Sequence, residues 1–181
     1  MIKRTIFYLI ILISFSITNI GTSKNKNINK FIKYGVSFKH LTKYKVTPSE
    51  EKGYKRIILE STQCTIIADV YPYSFKDKVD EIIRLVMKGV VYSFKKDGYS
   101  IKESKLKRTF IRVKVQGGKE KVKLEANIVK VVSQQKGKDS IKTRFYFFSY
   151  NNKGYIISYS HLAKINKSKE FLIFAKSFTI Y

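Results

Sequence analysis

The chain has 181 residues, 44% hydrophobic and 14% aromatic, which supplies the core of one ordinary domain and argues against several. One cysteine excludes an intramolecular disulfide, and two histidines with no Cys/His spacing around them exclude the common zinc patterns. The net charge of +24 rests on lysine, 31 of the 37 basic residues, spread along the whole chain. Base-reading proteins lean on the bidentate fork of arginine, so no specific nucleic-acid recognition is expected.

In chain order, Lys3 and Arg4 precede an apolar run from Ile6 to Ile13, and the small residues Gly21 and Ser23 follow. This is the layout of a secretory signal peptide, with Lys24 as the first mature residue. The apolar run is shorter than the roughly 20 residues of a spanning helix. The expectation is an exported chain, periplasmic or secreted, with an uncleaved N-terminal membrane anchor as the alternative. Residues 1–23 are assigned to the signal, 24–30 to a flexible polar lead-in and 31–181 to a single domain.

Tyr34 to Lys39 and Lys43 to Thr47 read as two short strands, the second ended by Pro48. Tyr54 to Glu60 and Cys64 to Tyr71 read as a hairpin around Ser61-Thr62-Gln63. The period then changes. Ser74 and Asp77 match a capping box. Val79, Ile82, Ile83, Val86, Val90 and Phe94 recur at three- and four-residue spacing, which predicts a helix with one buried face, stopped by Gly98. Beyond it, Lys107 to Val115 and Val122 to Ile128 alternate as strands around Gly117-Gly118, and a phase shift at Val129 suggests a bulge. Ile141 to Tyr150 and Tyr155 to Leu162 form a last hairpin around Asn151 and Asn152. Asn166 or Ser168 then caps a terminal helix whose apolar side carries Phe171, Phe174, Ala175 and Phe178. Two amphipathic helices and a run of hairpins predict an α+β fold, a three-layer α/β/α sandwich with a central antiparallel sheet.

The segment YGVSFKHLTKYKV, residues 34–46, resembles the opening of the PsbP/DcrB-like families, which include a Ran-binding import factor. Those families open with an aromatic strand, a corner, and a strand carrying Trp-x-Val. Here Tyr44 stands in place of the Trp, and His40-Leu41-Thr42 makes the corner. The ending FLIFAKSFTIY is similar to the last helix of the families, which runs into a Ser-Phe pair, here Ser177 and Phe178. The resemblance implies the same three-layer sandwich and a mostly non-catalytic role in assembly or binding. It carries over no catalytic or ligand residue.

No residue is singled out as catalytic or metal-binding, and no cofactor is expected. His40 and His161 lack partners in the sequence, and Asp77, Asp80 and Glu81 are explained by the start of a helix. Cys64 sits in an apolar run and reads as a small core residue. The most unusual stretch is RFYFFSYNNKGYIISYS. Its Tyr146, Phe148, Tyr150, Tyr155 and Tyr159 either pack in the sheet or form an exposed platform for a partner protein or glycan. The functional expectation is an exported, non-enzymatic accessory or binding protein of the bacterial envelope, its partner an unidentified envelope protein or glycan. The alternatives are an envelope hydrolase with an acidic cleft, and a nonspecific binder of anionic lipid or polyanion.

Overall fold

The computed structural model describes residues 28–165 and 168–181. The expected signal segment, residues 1–23, and the Asn166 cap lie outside the described residues. Strands β1 (Ile28–Lys33), β2 (Val36–Leu41), β3 (Lys45–Glu51), β4 (Tyr54–Glu60) and β5 (Cys64–Tyr71) precede helix α1 (Val79–Lys96). Then come β6 (Ser100–Val115), β7 (Lys121–Gln134), β8 (Ile141–Tyr150), β9 (Lys153–Leu162), helix α2 (Ser168–Ser177) and β10 (Thr179–Ile180). These ten strands form one sheet in the order β1-β2-β10-β6-β7-β8-β9-β5-β4-β3.

The three-layer α/β/α sandwich with an antiparallel sheet is overturned. Strand makes up 56% of the structure against 18% helix, and the sheet curls into a half-barrel. The sheet is also mixed, because β10 runs parallel to β6 and antiparallel to β2. Twist accumulates from strand to strand, and over ten strands it brings the first hairpin round to β4. Lys55 Nζ lies 5.7 Å above the ring of Tyr34, which sits in the β1–β2 turn. The two faces are therefore unequal. Helix α2 lies within the concave side, where Phe174 and Phe178 share one apolar cluster with residues of every strand from β4 to β10 and of β2. Helix α1 covers the convex side, with Ile83, Val86 and Val90 packed against Val129, Val131, Phe145, Phe147 and Ile156.

Local chemistry explains most boundaries. Asn151 and Asn152 both adopt positive φ, 46° and 58°, as a two-residue hairpin turn twisted to match its strands requires. Gly98, at φ +78°, ends α1. Several local expectations change, among them the start of β6, which begins at Ser100 and not at Lys107. β3 continues through Pro48, which is tolerated because β3 is an outermost strand of the sheet. β1 begins at Ile28, inside the stretch read as a lead-in. No register shift occurs at Val129: β7 pairs without interruption from Lys121 to Val132. Its apolar phase changes because Leu124 and Ala126 face the concave core, whereas Val129 and Val131 face α1.

Candidate functional site

The segment between β5 and α1 lines an open groove. Phe75 is fully buried over Gly154, so close that a Cβ there would lie 2.2 Å from the ring. Its backbone N–H donates to Ser149 Oγ at 2.8 Å, which pins the segment to the end of β8. The expected capping box does not form. Ser74 Oγ instead accepts from the backbone N–H of Lys76 at 3.1 Å, and the N-cap residue of α1 is Lys78, with no side-chain cap. The first backbone N–H groups of α1 are thus left to solvent, with Asp80 and Glu81 complementing the positive end of the helix dipole.

Beside this helix start lies a groove of about 770 Å³. Its floor includes Asn127, only 7% exposed, whose amide oxygen has no hydrogen-bond partner. Its walls carry Asp77, Asp80, Glu81, Glu125 and Arg108, all exposed. Arg108 Nη2 donates to Asp80 Oδ2 at 3.2 Å across the groove. The groove gathers carboxylates in number but holds none of them buried or paired with another carboxylate. It offers donors, acceptors and charge of both signs to a bound polar group.

A second cavity of about 100 Å³ lies beneath α1. Register across the sheet places Phe147, Ile156, Asp69 and Arg56 in one row, and Thr143, Ser160 and Thr65 in another. Arg56 and Asp69 form a bidentate pair, Nε to Oδ1 and Nη2 to Oδ2, both at 2.7 Å. They are 2% and 4% exposed. Burial opposes the charge of Arg56, but the hydrogen bonds and charge of Asp69 outweigh it and hold the guanidinium protonated. The Thr143 and Ser160 hydroxyls bond each other at 2.9 Å. This polar seam is satisfied internally. The sequence hides the Arg56–Asp69 pair because the tight loop Ser61-Thr62-Gln63 implies Arg56 opposite Ala68, whereas the actual turn shifts the register by one and aligns it with Asp69.

On the concave side, the Tyr44 hydroxyl lies 2.6 Å from Cys64 Sγ and donates to Glu170 Oε2 at 2.5 Å. Lys43 Nζ holds the other oxygen of Glu170 at 2.6 Å. Burial pushes the Cys64 thiol pKa up, which keeps it protonated and unreactive. This cluster ties the corner before β3 to α2.

The aromatic platform is not exposed. Phe148, Tyr155 and Tyr159 are buried, and Tyr146 and Tyr150 are half-buried against the same core. Phe148 stacks on Tyr155 at 5.1 Å between ring centroids, and Phe171 of α2 stacks on Tyr146 and Tyr159 at 5.7 and 4.7 Å. The row is sheet packing under α2. His40 and His161 each place Nδ1 against the next residue's carbonyl, at 3.0 and 2.9 Å, and do not meet. Among the described residues no group of three His, Cys, Asp or Glu side chains is arranged to hold a metal. No helix among them is long and apolar enough to cross a membrane.

No protein-family model and no curated protein sequence matches the chain. Solved structures do. Cyanobacterial PsbP (CyanoP) from Synechocystis aligns over 91% of this chain and 98% of its own, at 9% identity and a TM-score of 0.53. A Bacteroides thetaiotaomicron protein aligns over 84% of this chain at 10% identity and a TM-score of 0.51, and the alignment spans 48% of that protein's length. The yeast Ran-binding protein Mog1p aligns over 86% of this chain at 8% identity with a TM-score of 0.44. At such identities the likeness speaks to architecture, and the curled sheet with its two helices has the PsbP-like fold.

Proposed function

We propose that this chain is an exported, non-enzymatic binding or accessory protein of the bacterial envelope, and that its partner docks at the groove beside the start of α1. The groove is the observation that carries this reading. It combines an uncapped helix end with a buried amide oxygen that has no partner, that of Asn127 on the floor. A bound polar group satisfies both. The basic, apolar, small-residue order of residues 1–23 supports export.

The test uses the full chain and Asp77→Trp, which fills the groove from an exposed position. Both are used to recover partners from envelope extracts after their melting transitions are shown to match. The same envelope component is expected with the wild type and lost with Asp77→Trp. Equal recovery by both proteins overturns the groove as the site. Turnover of an envelope substrate, lost in Asp80→Asn or Glu125→Gln, overturns the non-enzymatic reading in favour of a hydrolase. A phosphatase reporter fused after residue 30 is expected to be active outside the cytoplasm, and an inactive reporter removes export.

A further inference from the structure

β6 is the longest strand, yet its outer side is paired only at one end. β10 meets it at Lys114 and Val115, and from Ser100 to Val113 no described strand lies on that side. The backbone N–H of Gln116 donates outward to Ile180 O at 2.8 Å. Peptide groups alternate sides along a strand, so Leu106, Arg108, Phe110 and Arg112 present their N–H and C=O groups to the open edge. The apolar side chains there are also more than half exposed, with Lys123 Nζ 4.2 Å from the Phe110 ring centroid. Leu106 and Phe110 are 52% and 61% exposed, and they lie on one face of the strand, with Arg108 between them.

Open edges are usually blunted by charge or bulges. Here the bulge lies at Ile101 to Glu103, which leaves the stretch beyond it regular. Six of the side chains of β6 are basic and one is acidic. A second copy pairing edge to edge would set lysine and arginine against lysine and arginine, so self-pairing is disfavoured. An acidic strand meets the opposite condition. We infer that the open edge of β6 is a strand-addition site for an extended acidic segment of a partner protein. The segment alternates apolar side chains, laid beside Leu106 and Phe110, with carboxylates set against Lys107 on the other face. Main-chain hydrogen bonds supply the pairing, and the side-chain alternation supplies selectivity. This extends the binding reading by naming a mode and a chemistry, and it does not use the groove floor.

The probe is a labelled, end-capped peptide of alternating glutamate and valine. Its control is the same peptide N-methylated at every backbone amide, equal in charge but unable to donate a main-chain hydrogen bond from either edge. Anisotropy at about 0.15 M salt, where diffuse attraction is screened over about 8 Å, is expected to show binding at least about tenfold weaker for the methylated form, the loss of two or more main-chain hydrogen bonds. Amide exchange is expected to slow at Leu106, Arg108, Phe110 and Arg112. Leu106→Pro removes one outward N–H and leaves the β7 pairing in place, as edge strands allow. It is expected to weaken binding by the same factor, whereas Leu106→Ala stays within about threefold. Equal binding of the two peptides, or protection confined to the α1 groove, overturns the proposal. So does self-association of the chain that Leu106→Pro abolishes, which assigns the edge to a second copy. If Leu106→Pro loses its melting transition, the methylated peptide and the exchange pattern decide the matter. Equal partner recovery by the wild type and Asp77→Trp, with peptide binding that methylation weakens, is failure of the groove alone, whereas recovery lost in Asp77→Trp, with equal binding of the two peptides, is failure of the edge alone.

Discussion

Arg56 and Asp69 are nearly inaccessible, so removing one charge strands the other in a low-dielectric site. Arg56→Ala is expected to destabilise by about 3–5 kcal/mol, whereas Arg56→Met with Asp69→Leu is expected to come close to wild type. Urea midpoints of the three proteins check both values. The pair contributes register rather than net energy, since it locks β4 to β5 at one alignment. The buried tyrosines give a pH signature. Burial raises the Tyr155 hydroxyl from 10.0 to about 12, and it also raises Tyr44, Tyr71 and Tyr159. The folded state therefore holds these protons more tightly than the unfolded chain. Their contribution is complete below pH 10 and is lost as pH rises towards 12. An alkaline titration followed by tyrosinate absorbance is expected to show these groups ionising together with loss of structure, after the exposed tyrosines.

At the scale of elements, α2 is the core of the concave side rather than a cover on it. Phe174 is 1% exposed and touches Phe38, Phe171 and Phe178 at centroid distances of 4.8, 6.1 and 5.4 Å. Phe174→Ala is expected to cost about 3–5 kcal/mol, read as a drop in melting temperature, whereas Leu172→Ala on the exposed side stays within about 0.5 kcal/mol. The helices and hairpins were legible because their signals are local. The stripe from Ile83 to Val90 has the helical period, and Asn151-Asn152 carries its own turn geometry. β1 was not legible, because its residues INKFIK are mostly exposed and show no alternation. β10 has only two residues, too few for any period. The aromatic row was visible as composition, but which helix would cover it depends on sheet curl, a property no window of sequence contains. The groove was hidden for a related reason. It forms where β6, β7, β8 and the α1 start meet, and each contributes residues that look ordinary alone.

For the whole molecule, a net charge of +24 over the 181 residues produces a predominantly positive field. Binding to anionic vesicles is expected at low salt and should be nearly gone at about 0.15 M, because diffuse attraction is screened over about 8 Å there. Co-sedimentation across a salt series measures it. Lys121→Gln with Lys123→Gln is expected to change it only slightly, and a collapse on that change would mean a localised anion site. A different property follows from β10. It sits between β2 and β6, and the Tyr181 hydroxyl donates to Ser37 Oγ across 144 positions of sequence. Two residues thus couple the earliest hairpin to the central strands, and the first hairpin has no sheet neighbour until they arrive. Closure of a loop that long is entropically slow. In time rather than space, the half-barrel is assembled out of order: the hairpins between β2 and β10 can form during synthesis, while β1 and β2 wait for β10 to join them.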